Sequence, residues 1–298
     1  MRFTRLFLFS LFSIAALGST ILAQDDDTIA VDSSIVVLNA TITDAKGAAV
    51  HGLKQNQFKI FEDGKEQEIA YFQAEETPFA AVILLDTSGS METRVALARS
   101  AAINFLNGLR ESDVAAVYNF DSKIKLVQDF SGSRDLDDHA FDLKATGMTV
   151  LNDAIYKAAA ELSKRPEKRK AIIVISDGAD TMSGHSADKA LKAALAANAL
   201  IYTVDMAPES LTGQSRTQNP AALKNFAEKT GGTFVPTPGG AALREAFGRI
   251  VTELGTQYTL SYQPTNTTKD GKWRALELRV ARPGLTIRTR KGYNAAKN

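Results

Sequence analysis

Between residues 79 and 254 the chain repeats one alternation. A short, unbroken apolar run is followed by a stretch whose apolar residues recur at helical spacing. The runs lie at 80–85, 114–120, 171–175 and 200–204, with a shorter one at 233–235. A strand with one face in water alternates apolar and polar residues. An unbroken run therefore predicts a strand covered on both faces, as in a parallel sheet. The intervening stripes are Val95, Ala98, Ala102, Phe105 and Leu109; Leu151, Ala154, Ile155, Ala158 and Leu162; Ala187, Ala190, Leu191 and Ala194; and Leu243, Ala246, Phe247, Ile250 and Leu254. Each falls on one face of a helix. Another helix carries its own punctuation, with Asn219 as cap, Pro220 in the first turn and Gly231 just past the end. Strands alternating with helices predict an α/β fold with a doubly wound, mostly parallel sheet.

The flanks read differently. Residues 34–75 form short apolar stretches with turn signals at 44–47 and 62–64. After the α/β region, Tyr258, Leu260 and Tyr262 alternate, as do Leu276, Leu278 and Val280, then Leu285 and Ile287. Each flank offers only two to four strands, which is marginal for independent stability. In a doubly wound sheet the first strand enters, and the last helix leaves, at the edge opposite the strands' carboxyl ends. The flanks are therefore expected to pair into one small β-sandwich with the α/β domain inserted, the alternative being two independent β appendages that flank it. The expected plan is a signal peptide at 1–23, sandwich parts at 30–76 and 256–293, and the α/β domain at 78–255. Trp273 and the tail tyrosines are expected in the sandwich core.

The first segment reads as an export signal. Arg2 and Arg5 precede an apolar run from 6 to 17, and 21–23 ends in a small residue suited to cleavage before Gln24. The run from 6 to 23 is broken by Ser10, Ser13, Gly18, Ser19 and Thr20, which weakens it as a membrane anchor. The mature protein is expected to be exported, periplasmic or secreted, without membrane insertion. The formal net charge of +1 falls to −1 once the two arginines are removed. Acids and bases are interleaved, so no basic stripe points to nucleic acid. The chain has no cysteine, which excludes disulfides and thiolate metal sites, and its three histidines, His51, His139 and His185, are far apart.

The run at 80–85 ends abruptly in Asp86, with Ser88 and Ser90 following at alternate positions in "DTSGSM". Ligands in such sheets bind beyond the carboxyl ends of the strands. A carboxylate and two hydroxyls there are hard oxygen donors suited to Mg²⁺ or Mn²⁺. Taken alone, the same residues also suit a helix cap or an Asx-turn. Two further features add to the set. Thr149, in "TGMTVLNDAI", precedes a helix, and Asp177, in "AIIVISDGAD", ends a second apolar run.

Together these motifs resemble the von Willebrand factor type A (VWA) domain and its metal-ion-dependent adhesion site (MIDAS), over roughly residues 78–255. All five positions match: Asp86, Ser88, Ser90, Thr149 and Asp177. The departure is Gly147-Met148-Thr149, where relatives often have two glycines before the threonine. The flanks, with "FKIFEDGKEQEIAYF" before and "LTIRTRKGYN" after, are similar to a bacterial exported subgroup labelled VWFA-related and common in Acidobacteria. The resemblance implies a divalent metal, Mg²⁺ or Mn²⁺, held by the serines and threonine, with the aspartates often acting through water. It implies an open metal position completed by a Glu or Asp carboxylate of a protein ligand.

The expected function is thus a non-enzymatic, metal-dependent adhesion module. The alternatives are a metal-assisted hydrolase and a structural envelope protein with an inactive site. No nucleophile elbow, nucleotide-binding glycine loop or paired metal cluster accompanies the motif. The aspartates around His139 read as a solvated helical face. The polar stretch 207–219 is expected on the same rim as the metal residues, shaping partner choice.

Overall fold

The computed structural model of the chain describes residues 35–74, 77–133, 147–207, 218–236 and 240–297. The export signal, the acidic stretch 24–28, most of the acid-rich segment around His139 and most of the polar stretch 207–219 lie outside the described residues. No helix among the described residues is long and apolar enough to cross a membrane.

The α/β unit is built on six strands: β5 (Phe79–Asp86), β6 (Val114–Phe120), β7 (Ile124–Ser131), β8 (Arg169–Ser176), β9 (Ala199–Asp205) and β10 (Phe234–Val235). Their order is β10-β9-β8-β5-β6-β7, all parallel except β7, which runs antiparallel to β6 along the edge. Helices α1 (Val95–Asn107) and α5 (Gly240–Gly255) cover one face. Helices α2 (Leu151–Ser163), α3 (Ala187–Ala196) and α4 (Pro220–Thr230) cover the other. This two-sided cover explains the unbroken apolar run. In β5, Ala81, Ile83 and Leu85 enter one core while Ala80, Val82 and Leu84 enter the other.

The helix stripes of α2 and α5 are buried residue for residue. In α3 the buried set is Ala190, Ala193, Ala194 and Leu195, and Ala187 is exposed at the first turn. The Asn219 side chain accepts the Ala222 N–H at 3.0 Å, and Gly231 closes α4 at φ +89°. Strand β7 has no counterpart in the sequence expectations. It is an edge strand, half-exposed along its length, so it lacks both the unbroken run and a clean alternation.

Eight strands from the two flanks form two antiparallel sheets. One is ordered β13 (Thr286–Arg288), β1 (Val36–Thr43), β11 (Tyr258–Tyr262), β4 (Ile69–Gln73). The other is ordered β14 (Gly292–Asn294), β12 (Trp273–Val280), β2 (Phe58–Glu62), β3 (Lys65–Gln67). Each sheet mixes the two flanks, through β1 against β11 and β2 against β12. They enclose one core containing Leu38, Ile60, Tyr258, Leu260, Tyr262 and Leu278. Trp273 departs from expectation. It is 42% exposed, and its ring lies over Gly292, where a Cβ would come within 2.4 Å of it.

The sandwich meets the α/β unit at the amino ends of the parallel strands, and the joint is polar. Arg169, fully buried at the start of β8, donates to the carbonyls of Leu254 and Gly255 at 3.3 Å, to that of Gln257, and to the Thr259 hydroxyl at 3.1 Å. Its positive charge sits at the carboxyl end of α5, where the helix dipole favours a cation. Glu253 accepts from Thr41 at 3.0 Å and Tyr202 at 2.6 Å, and pairs with Arg288. Asn39 and Thr41, on the outward face of β1, are buried in this joint.

Replacing Arg169 by Met should leave several buried carbonyls without a donor. We expect a loss of about 3 kcal/mol in urea denaturation, against about 1–2 kcal/mol for Thr259→Val, which removes one hydroxyl that accepts from Arg169 and donates to Asn39. Equal losses in the two variants would show that the guanidinium does not hold the joint.

Candidate functional site

Strand β5 is central, flanked by β6 and β8, and it ends in Asp86. The turn beyond it is fixed from three sides. Thr87 donates its N–H at 2.8 Å and its hydroxyl at 3.1 Å to the Phe120 carbonyl at the end of β6. The Ser88 N–H donates to Asp86 Oδ1 at 2.9 Å. Met91, at the end of a single 3₁₀ turn (Gly89–Met91), is buried in the core shared with α1. Ser88 is buried and Ser90 exposed, with their hydroxyls 3.2 Å apart.

Asp177 follows the last residue of the neighbouring strand β8. Its Oδ1 accepts the Ala179 N–H at 3.0 Å, while Oδ2 is buried with no hydrogen-bond partner. The glycine of "SDG" has a geometric cause. Gly178 adopts φ +79°, and a Cβ there would lie 2.3 Å from the Asn219 carbonyl oxygen. Thr149, buried just before α2, is joined to the loop after Asp177. Its N–H donates to the Thr181 hydroxyl at 2.9 Å, and its carbonyl accepts from Thr181 and Met182 at 2.9 and 3.1 Å. The fold therefore places Asp86, Ser88, Ser90, Thr149 and Asp177 on one rim at the carboxyl ends of two adjacent strands.

Two rim residues escaped the sequence reading. Ser176 lies inside the quoted "SDG" motif but was not counted. Its hydroxyl donates to Asp86 Oδ2 at 2.5 Å and accepts the Gly178 N–H at 3.0 Å, so it links the two aspartate turns. Asp205 ends β9 in register with Ser176, repeating the pattern of an apolar run closed by an acid. That repetition was the available signal.

Asp86 and Asp177 are both 0% exposed. Burial pushes the Asp86 carboxyl up from 3.8 to about 6; hydrogen bonds from Ser176 and Ser88 pull it down, and the charge of Asp177 adds to the rise. Burial also raises Asp205, the Ala207 N–H acts against it, the Asp177 charge adds to the rise, and Arg94 opposes it. The rim thus concentrates buried negative charge with an orphaned carboxylate oxygen at its centre. Such a group is costly unless a cation or donor meets it. The set is made of carboxylates and hydroxyls, without sulfur or imidazole, and this chemistry fits a hard divalent ion such as Mg²⁺. No cluster of three or more His, Cys, Asp or Glu side chains with metal-binding geometry occurs among the described residues.

Beside the rim, Asp153 in the first turn of α2 clamps the loop after Thr181. It accepts the N–H groups of Gly184 at 2.9 Å and His185 at 2.8 Å, and meets His185 Nδ1 at 2.6 Å. Burial acts to raise this carboxyl, but those bonds outweigh it and hold it below the ordinary value. The His185 ring stacks on Tyr156 with centroids 4.0 Å apart.

Residues 81–179 match the family model described as von Willebrand factor type A domain. Among solved structures, the chain is similar to the von Willebrand factor type A protein from Catenulispora acidiphila. That likeness has a TM-score of 0.50 at 15% identity, covering 90% of this chain and 75% of that one. It is also similar to proximal thread matrix protein 1 from the mussel byssus, with a TM-score of 0.50 at 13% identity, over 65% of this chain and 51% of that one. Comparison with curated proteins gives no match. The matched segment runs from the third residue of β5 to the turn after Asp177, so it takes in both aspartate turns and Thr149. Within the α/β unit of this chain, residues 81–179 thus match the von Willebrand factor type A domain.

Proposed function

We propose that this chain is an exported, non-enzymatic protein-binding module whose rim holds Mg²⁺ or Mn²⁺. The observation that carries the reading is the buried Asp177 oxygen without a partner, set beside a second buried carboxylate and a group of hydroxyls. Asp86, Ser88, Ser90, Thr149 and Asp177 would hold the metal. The bound ion would supply an incompletely compensated positive charge, which a Glu or Asp side chain of a partner protein completes. Ser176 acts in this reading as a positioning residue, because its hydroxyl holds Asp86 from the β8 side. Export follows from the sequence reading of residues 1–23, and no membrane insertion is proposed after cleavage.

A metal that binds only the folded state stabilises it. At one hundred times its dissociation constant, Mg²⁺ or Mn²⁺ should add about 2.7 kcal/mol. Thermal unfolding in chelator and then in metal should show the rise in the wild type and lose it in Asp86→Ala and Ser88→Ala. A rise that persists in both variants would place the ion elsewhere.

The raised Asp86 value also sets a pH dependence. A carboxyl whose folded value lies above its unfolded one holds extra protons in the native state between the two. The metal-free protein should therefore gain stability as pH falls through about 6 toward 3.8. Relative to Asp86→Asn, the wild type in chelator should gain about 1 kcal/mol between roughly pH 7 and pH 5 in urea denaturation. Metal affinity should fall over the same window, because the proton competes for the same carboxylate. Parallel pH profiles for the two proteins would exclude Asp86 as the titrating group.

A further inference from the structure

The sequence has five methionines. Met91 and Met206 are buried between the central sheet and helices α1 and α5. Met148 and Met182 are 50% and 55% exposed, two of five large apolar residues so exposed among the described residues. Both stand beside Thr149. Met148 precedes it in the chain, and the Met182 N–H donates to its carbonyl at 3.1 Å. Three hydrogen bonds join the two loops at this point, so each of the joined loops carries one exposed, unbranched thioether residue. The ground beneath Met182 is firm, because the Asp153 clamp and the Tyr156–His185 stack hold the loop that follows it.

Apolar side chains held in water on anchored loops lose free energy only when something covers them. Methionine is flexible and polarisable, so it adapts to aliphatic and aromatic surfaces alike. The covering surface must also suit the charge beside it. A carboxylate completing a metal on this rim would bring its neighbouring residues to the same rim.

We propose that Met148 and Met182 form an apolar collar on the metal rim. The partner segment it accepts places an aliphatic or aromatic side chain next to its carboxylate. This rests on the metal-dependent reading above and adds to it a class of partner sequence: acidic residues with apolar neighbours, rather than acids in polar runs.

Two pentapeptides test it, one with a central glutamate flanked by leucines and one with the same glutamate flanked by serines. Each is titrated into protein carrying ¹³C-methyl methionine, in Mg²⁺ and in chelator. The leucine peptide should bind about tenfold tighter in Mg²⁺, as expected for partial burial of an aliphatic side chain. The methyl signals of Met148 and Met182 should shift, while those of Met91 and Met206 stay in place. A Met148→Ser, Met182→Ser double variant should lose the preference yet keep the Mg²⁺ thermal shift. The corresponding double Leu variant should keep both. Equal affinity for the two peptides, no binding of either to Mg²⁺-loaded protein, or a preference that survives the serine changes would overturn the collar. So would a serine variant that alters only self-association, since the methionines would then serve contact between copies of this chain. If Mg²⁺ gives no thermal shift in the wild type, the metal reading itself fails and the collar falls with it. A normal shift without a peptide preference removes the collar alone.

Discussion

Strand β5 has helices on both faces and strands on both edges. Its side chains can therefore be polar only where the strand stops. Asp86 occupies that position, and the rest of the rim follows from its placement. A buried carboxylate requires donors, and the nearest come from Ser88 on its own turn and Ser176 on the neighbouring strand. Ser176 in turn accepts the Gly178 N–H, so the shape of the Asp177 turn depends on the same hydroxyl. One hydrogen-bonded chain thus runs from the end of β5 to the end of β8. Even so, it leaves one oxygen of Asp177 unsatisfied. A buried carboxylate oxygen of that kind is costly until a cation or a donor meets it.

Much of this was legible in the sequence because it depends on local periodicity. The stripes of α2 and α5 and the caps of α4 are set by neighbours within a few residues, and they emerged as expected. Asp86 and Asp177 were legible because a carboxylate closing an apolar run is conspicuous. The elements that were missed depend on distant partners. Edge strand β7 has no strong pattern of its own and exists because β6 is there to pair with it. Ser176 looks like an ordinary strand-end serine until β5 is placed beside it. Trp273 was expected in the core on the strength of its size, yet its register in β12 points it to the outer face, over Gly292.

The polar residues of β1 carry a related lesson. In "VVLNATIT" Val36, Leu38, Ala40 and Ile42 enter the sandwich core. The polar Asn39 and Thr41 lie on the other face of the strand, yet that face is not in water. It meets the α/β unit, and both residues are buried among Lys168, Glu253 and Thr259. Period-two patterning tells the two faces of a strand apart, but it does not tell solvent from a hydrogen-bonded joint.

The pairing of β4 with β11 has a mechanical consequence. Gln73 and Thr259 are register partners, so the chain enters and leaves the α/β unit through adjacent strands of one sheet. A pull on the far rim against the sandwich therefore loads β4 and β11 together, along their lengths and in the same direction. The ladder between β11 and β1, five residue pairs long, meets that load in shear, with its hydrogen bonds sharing the force rather than opening one after another. The buried contacts of Arg169 and Glu253 at the joint lie in parallel with the ladder. Tension applied at the rim is thus received by the part of the molecule that is cross-braced by both ends of the chain.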